Sequence, residues 1–257
     1  MSFVADNRRY LPVNALYAGL LVLTISFSNT ILADTFENAV AKNNITGIET
    51  YLDKATDIDY RGTNGKTALM IAAREGNKDL VDLLIERGAD INAKNINDGT
   101  PLMFAAINGN PEIISMLIDA GAEANATGTN GWGALMVAVA KGHHYSAQLL
   151  LDAGADVNSV DIYLWTPLMR AAAESRTSVV SILLEADDIN IGQKDDHGAT
   201  ALHHAAGNGN MEIVKLLLLQ GSNPDMIDDL GRTPADYAIE KDHREMALLL
   251  SSFRLKL

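Results

Sequence analysis

The sequence predicts an all-α solenoid of stacked helix-turn-helix units, preceded by an N-terminal signal segment. The first observation is a repeated seven-residue segment. Thr100–Ala106 reads TPLMFAA, and near copies begin at residues 67, 133, 166, 200 and 233, so that consecutive copies are 33 or 34 residues apart. The second observation is that apolar residues follow each copy at helical spacing. A fixed period of this length indicates a repeat array, in which each unit buries its apolar face against its neighbours.

Residues 1–33 lie outside the repeats and resemble a signal peptide. Arg8 and Arg9 precede an apolar stretch, and the segment ends at Ala33, a small residue at a suitable cleavage point. We therefore expect export, with a mature protein that begins at Asp34 and is periplasmic or secreted. An uncleaved membrane anchor is the alternative, because the apolar stretch contains no charged side chain.

The charge of the chain limits the classes of partner. The net charge is −13, and removal of residues 1–33 leaves 18 basic and 32 acidic residues, a net charge of −14. Such a domain repels phosphate backbones and anionic lipid, which argues against a nucleic-acid partner. The charge is explained by solubility alone or by a partner with a basic surface. The chain has no cysteine, which is compatible with export without establishing it.

The second unit shows why each repeat should fold as two helices. The Thr67 hydroxyl can cap the first helix, and in other units a proline follows at a position that requires no amide donor. Leu69 and Ala72 fall on one helical face. Gly76 ends this helix, a second apolar stretch has the same spacing, and Gly88 supplies a left-handed terminus.

The residues of this unit resemble an ankyrin repeat. Gly65-Lys66-Thr67-Ala68-Leu69-Met70-Ile71-Ala72-Ala73 and Gly88-Ala89-Asp90-Ile91-Asn92 are similar to the family's Gly-x-Thr-Pro-Leu-His-x-Ala-Ala start and Gly-Ala-Asp-x-Asn end. The resemblance covers residues 34–257. It implies a monomeric scaffold that binds another protein on a concave surface formed by the turns and the first helices.

The repeat register divides residues 34–257 into seven units, of which the outer two are caps. The boundaries are an N-cap at 34–62, repeats at 63–95, 96–128, 129–161, 162–195 and 196–228, and a C-cap at 229–257. In the N-cap, a shift of 33 residues aligns five apolar residues with those of the second unit: Phe36, Ala39, Ile48, Tyr51 and Ile58.

Three units depart from the pattern. In the third unit the turn glycine, Gly99, comes one position late, so we expect a locally different turn. In the fourth, Gly133 replaces the capping threonine, which weakens the helix start by up to about 1 kcal/mol. The fifth has Leu164 and Ser175 where glycine is usual, and its end is shortened. We expect the interfaces of the fifth unit to be the weakest.

No pattern in the sequence indicates an enzyme, a cofactor or a metal. Methionine replaces the family's histidine in four units, which predicts an apolar ladder rather than a sulfur-based metal site: Met70, Met103, Met136 and Met169. His203 keeps the family position, which favours a structural hydrogen bond. His197, His203 and His204 match no ligand spacing. Nucleophile-and-base motifs and phosphate loops are also absent from the sequence.

The turns of the fourth and fifth units carry an aromatic set. Trp132 and Trp165 are the two tryptophans of the chain and occupy equivalent positions 33 residues apart, with Tyr163 close to the second. Exposed aromatics are typical of binding hot spots, so we expect these three to anchor a partner. The alternative is that they cover one another and the irregular fifth unit.

The predicted binding surface extends beyond the anchors. Its further members are Lys66, Arg74 and Ile107, with Lys141 and Glu174 at the rim. We expect an exported protein-binding scaffold. Inhibition is the second hypothesis, because exported bacterial ankyrin proteins resemble, as a group, both partners of oxidative-stress enzymes and immunity proteins that block a toxic effector. Catalysis ranks last.

Overall fold

The computed structural model describes residues 38–40, 44–54 and 57–254. The chain divides into two compact units, Met1–Thr56 and Asp57–Leu257. Within the described ranges, no helix is long and apolar enough to cross a membrane.

The N-terminal compact unit, Met1–Thr56, contains helix α1, Ile45–Lys54, and its residues 38–40 are also helical. The amide of Gly47 donates to Asn44 Oδ1 at the start of α1. The buried apolar side chains are Ala39, Val40, Ile48 and Tyr51. Of the four described positions that the repeat register aligned in the N-cap, Ala39, Ile48 and Tyr51 are therefore buried, whereas Ile58 is only half-buried. The proposed signal segment, residues 1–33, and Phe36 lie outside the described residues.

The larger compact unit, Asp57–Leu257, is a row of helical pairs. The first helices are α2 (Ala68–Glu75), α4 (Pro101–Asn108), α6 (Ala134–Lys141), α8 (Pro167–Ala173), α10 (Ala201–Gly207) and α12 (Pro234–Glu240). The second helices are α3 (Lys78–Glu86), α5 (Pro111–Asp119), α7 (His144–Asp152), α9 (Thr177–Leu183), α11 (Met211–Leu219) and α13 (Arg244–Arg254). Each first helix packs against its own second helix and against the first helix of the next pair. The predicted all-α repeat architecture is confirmed.

The helix ends follow the repeated residues. The Thr67 and Thr100 hydroxyls accept the amides of Met70 and Met103, which satisfies donors that a helix start leaves free. Gly133 has no side chain to do this at the start of α6, as predicted. Gly76 ends α2 at a φ of 77°, in the left-handed region.

A ladder of methionines lies in the core beneath the turns. Met70, Met103, Met136 and Met169 are at most 6% exposed, which confirms the packing interpretation. His203 takes the same position and is fully buried. Its Nδ1 accepts the Thr200 amide at 3.0 Å, as the Met169 sulfur accepts the Thr166 amide at 3.4 Å.

A leading turn of five residues precedes the cap position of each first helix. Its first amide donates to its fifth carbonyl, for example from Asp161 to Trp165 at 3.1 Å. The fourth residue is left-handed in each turn. The expectation of a different turn in the third unit is wrong, because Asp98 adopts a φ of 57° where Gly65 and Gly131 have 69° and 79°. A non-glycine residue occupies the left-handed position, and the turn keeps its shape.

Candidate functional site

Three leading turns are built around a buried aspartate at their first position. Asp161, Asp195 and Asp228 are 4–6% exposed. In each, Oδ1 accepts two backbone amides of its own turn, which fixes the loop. Oδ2 points to a side chain of the following first helix, so each acid ties a turn to its helix. The helix partners are Arg170, His204 and Tyr237.

The two tryptophans of the chain meet at Arg170. The guanidinium carbon lies 5.0 Å from the Trp132 ring centroid and 4.4 Å from that of Trp165. The Trp132 indole N–H donates to Asp161 Oδ2 at 3.2 Å, and Arg170 Nη2 donates to the same oxygen at 3.3 Å. Both tryptophans are half-buried. The fourth and fifth units therefore share one cluster of Trp132, Asp161, Trp165 and Arg170, named here the tryptophan–arginine cluster.

The cluster continues into the sixth unit through a histidine. The rings of Trp165 and His204 have centroids 4.2 Å apart. His204 Nε2 lies 2.9 Å from Asp195 Oδ2, and since a carboxylate only accepts, Nε2 carries the proton. Burial favours the neutral form of Asp195. The hydrogen bonds from His204 and from the amides of Ala199 and His197 outweigh it and hold the pKa of this carboxyl below its usual value.

The last leading turn carries the strongest electrostatic perturbation. Asp228 is buried, which favours its neutral form, but hydrogen bonds from the Arg232 amide and guanidinium, the Tyr237 hydroxyl and the Leu230 amide dominate and lower its pKa to about 2. Burial, together with the bond to Asp228, raises the pKa of Tyr237 to about 12. These groups are saturated with internal partners, so they stabilise the C-terminal end.

The leading turn of the fifth repeat, Asp161 to Trp165, exposes apolar side chains at its tip. Ile162 is 61%, Tyr163 56% and Leu164 46% exposed, and Val160 beside them is 39% exposed. Among the described turns, this is the one with three consecutive exposed apolar residues at its tip, since the others carry mainly Asn, Asp, Thr and Gly. Ile162, Tyr163 and Leu164 are named here the apolar tip.

Backbone hydrogen bonds align the tips of neighbouring turns. The Ile162 amide donates to the Asn130 carbonyl at 3.3 Å, and the Asp196 amide donates to the Tyr163 carbonyl at 3.1 Å. The apolar tip is therefore fixed on both sides by backbone hydrogen bonds to the neighbouring turns. Its side chains are displayed without a requirement for the loop to order on binding.

The predicted site residues fall into two groups. Trp132 and Trp165 are brought together around Arg170, and Tyr163 points outward from the same turn. Lys141 and Glu174 are exposed at the ends of the first helices of these units. The remaining three belong to the second and third units: Lys66, which lies 5.8 Å from the Phe104 ring centroid, the exposed Arg74, and Ile107, which is 39% exposed. The site as a whole stays a prediction.

Sequence reasoning missed Arg170 and the apolar character of the whole tip. Arg170 lies five residues beyond Trp165, on a helix whose equivalent positions are apolar or aromatic in most other units. That departure is a signal, as is the recurrence of aspartate at positions 161, 195 and 228. The run Ile162-Tyr163-Leu164, with no polar residue in a turn, could also have been noticed.

One group of side chains has metal-ligand composition, but its donors are already used. Within the described residues, Asp195, Asp196 and His197 offer ligand atoms within 4.8 Å of one another. Asp195 bonds two amides and His204, and Asp196 bonds the His197 ring at 2.8 Å. These bonds account for the grouping as a feature of the turn.

A groove of about 630 Å³ lies between α7 and α9. Its acidic lining residues are Asp152, Asp156, Glu185, Asp187 and Asp188. The shortened end of the fifth unit forms one wall. The groove concentrates negative charge, in keeping with the expectation of a partner with a basic surface, which stays a prediction.

Comparisons with known proteins agree with this architecture. A family model described as ankyrin repeats matches residues 36–128, 120–195 and 188–255. The crystal structure of the human ASB11 ankyrin repeat domain superposes with a TM-score of 0.73 at 25% sequence identity, covering 83% of this chain and 96% of that one.

Sequence relatives match over short stretches. The E3 ubiquitin-protein ligase hecd-1 of Caenorhabditis elegans is 41% identical over 71 residues, which is 26% of this chain and 2% of that protein. Putative ankyrin repeat protein FPV014 of Fowlpox virus is 33% identical over 72 residues, which is 28% of this chain and 16% of that protein. The chain thus spans a small part of these relatives, and the likeness lies in the repeats.

Proposed function

The chain belongs to the ankyrin-repeat family, and we propose that it binds a protein partner through the face formed by the leading turns and first helices of its fourth to sixth units. Ankyrin repeats generally mediate protein–protein interaction, and the fold is typically a non-catalytic scaffold. The proposal assigns that role to a particular part of this array.

The apolar tip is the observation that carries this proposal. Exposed apolar groups cost free energy in water, and contiguous ones typically mark interaction sites. Ile162, Tyr163 and Leu164 lie beside the tryptophan–arginine cluster, which offers the half-buried edges of two indoles. Tyrosine, tryptophan and arginine are the side chains enriched in binding hot spots. Tyr163 is exposed, whereas Trp132 and Trp165 are half-buried, so Tyr163 is the first anchor in this proposal.

Export is the second part of the proposal. It is supported by Arg8 and Arg9, the apolar stretch that follows them, and Ala33 at the expected cleavage point. The mature protein would then begin at Asp34 in the periplasm or outside the cell. Intact-mass measurement of the protein recovered from each compartment tests this. Soluble cytosolic protein that retains Met1 would contradict it.

Site-specific crosslinking tests the binding surface. A benzophenone amino acid placed at position 163 should capture one partner in cells that express the full chain. The matched control is position 145, a tyrosine on α7 that is 70% exposed. Capture at 163 but not at 145 supports the proposal, whereas equal capture at both, or none at 163, contradicts it. If the captured protein is an enzyme, its activity in the presence of the chain separates inhibition from scaffolding.

A further inference from the structure

Arg170 uses few of its hydrogen-bond donors. A guanidinium carries five N–H groups. Arg170 makes a single hydrogen bond, from Nη2 to Asp161 Oδ2 at 3.3 Å, and its side chain is 20% exposed. Nε is buried without a partner, whereas Nη1 is neither hydrogen-bonded nor among the buried unpaired atoms. Nη1 therefore faces solvent with both of its donors free.

Arg232 shows what a saturated arginine looks like in the same array. Its Nε and Nη2 donate to Asp228 Oδ2 at 2.8 and 2.7 Å, Nη2 also donates to the Tyr237 hydroxyl, and Nη1 donates to Glu240. Arg170 thus differs from Arg232 in having donors to spare, although its side chain is less exposed.

Asp161 does not need Arg170 to be satisfied. Its Oδ1 accepts the amides of Tyr163 and Trp165 at 2.9 and 3.0 Å, and its Oδ2 accepts the Trp132 indole N–H. The 3.3 Å contact from Arg170 is the longest of the four that reach this carboxylate. The guanidinium carbon also lies 5.0 and 4.4 Å from the ring centroids of Trp132 and Trp165, and these two contacts restrict the movement of its donors. A donor fixed in advance loses little entropy when it binds an acceptor.

We propose that Arg170 is the binding site for a carboxylate of the partner, supplied by an Asp or Glu side chain next to an apolar residue that contacts the apolar tip. This inference rests on the proposed function and names the chemistry it selects. Arginine matches carboxylate geometry better than any other side chain. The net negative charge of the chain repels an acidic surface at long range, so the selected carboxylate is a single group within a neutral or basic surface.

Selection of peptides tests the proposal directly. Twelve-residue random peptides displayed on phage are selected on the immobilised full chain, and those whose binding is lost in Tyr163→Ala are retained. We expect the retained peptides to be enriched in Asp or Glu beside an apolar residue. Replacement of that acid by its amide should weaken binding about tenfold or more on the wild-type chain, and hardly at all on Arg170→Gln.

A second variant keeps the test decisive if Arg170→Gln does not fold. Asp161→Asn frees Nη2 while retaining the turn, because Asn95 already bonds the amides of Asn97 and Gly99 at the equivalent place. Acid-bearing peptides should bind Asp161→Asn more tightly than wild type. Retained peptides without an acid, or with equal affinity for both variants and the wild type, would overturn the inference but not the proposed function. Failure to obtain any Tyr163-dependent peptide would overturn both.

Discussion

The guanidinium of Arg170 lies over the ring of Trp165, with its central carbon 4.4 Å from the ring centroid. Trp132 from the preceding unit and His204 from the following one contact the same pair. Three consecutive repeats are thereby joined by side chains as well as by their helices. The aromatic residues of this face thus combine a structural contact with an exposed edge. Substitutions can separate the contribution of the contact to stability from the contribution of the edge to binding.

Substitution of Trp165 should mainly lower stability, whereas substitution of Tyr163 should mainly weaken partner binding. Trp165→Ala removes the contacts with Arg170 and His204, so we expect the free energy of unfolding to fall by about 1–3 kcal/mol. Tyr163→Ala removes an exposed side chain, so stability should change by no more than about 0.5 kcal/mol while partner capture is lost. Chemical denaturation and crosslinking of both variants provide the measurement. A destabilised Tyr163→Ala would show that the tip belongs to the folding core.

The fold was readable from sequence because each repeated residue type performs a local task. Thr67 caps, Gly76 turns left-handed and Ala72 permits close packing, whatever lies far away in the chain. The tryptophan–arginine cluster was only partly readable. Trp132 and Trp165 stood out by type and spacing, but their meeting at Arg170 depends on three elements from two units, and local sequence carries no such distance information.

The shape of the leading turn of the third repeat shows a different limit to prediction from sequence. The position of Gly99 suggested a rearranged turn, yet Asp98 adopts the left-handed conformation at a φ of 57°. Aspartate tolerates that region better than most residues, and the hydrogen bonds to neighbouring turns favour one backbone shape. Tertiary context therefore overrode the local preference.

Leu164 is predicted to lower the stability of the fold while contributing to partner binding. Its φ of 58° places a bulky residue in the left-handed region, which costs about 1–2 kcal/mol. Leu164→Gly should therefore raise the free energy of unfolding by about 0.5–1 kcal/mol, after the extra chain entropy of glycine is subtracted. Because Leu164 is part of the apolar tip, the same substitution should weaken partner capture.

Gly131 is the matched control for the Leu164 substitution. It occupies the equivalent position at a φ of 79°, and an added Cβ would lie 2.9 Å from the Asp161 Cα. Gly131→Ala should lower the melting temperature, whereas Leu164→Gly raises it. If Leu164→Gly were destabilising, side-chain packing at that position would outweigh backbone strain.

Stability should fall in acid through Asp228. Its pKa is about 2 in the folded chain against an ordinary value of 3.8, so the carboxylate stabilises the fold above pH 4 and loses this contribution between about pH 4 and pH 2. The difference corresponds to about 2 kcal/mol. Asp228→Asn should be less stable at neutral pH and should lack that part of the acid dependence. Denaturation of both proteins across this range measures the difference, and parallel pH profiles would contradict the assignment.

The fourth and fifth repeats should open before the second, third and sixth repeats. The Asn77, Asn110 and Asn210 side chains cap the second helices α3, α5 and α11, but His143 and Arg176 provide no cap for α7 and α9. Ser175 is also left-handed at a φ of 55°. Each missing cap leaves a helix start with unsatisfied amides. Amide hydrogen exchange should therefore be faster in α7 and α9 than in α3, α5 and α11.

Restoring one cap tests whether this is the cause. Arg176 has a backbone close to that of Asn77, with φ and ψ of −88° and 69° against −84° and 88°, and its Nε is buried without a partner. Arg176→Asn should therefore gain about 1 kcal/mol from the cap and remove an unsatisfied donor. Exchange in α9 should slow, while exchange in α3, which is already capped, stays unchanged. Two results would show that packing between repeats governs local opening instead. One is that residues 130–195 are the best protected part of the wild type, and the other is that α9 exchanges faster in the variant.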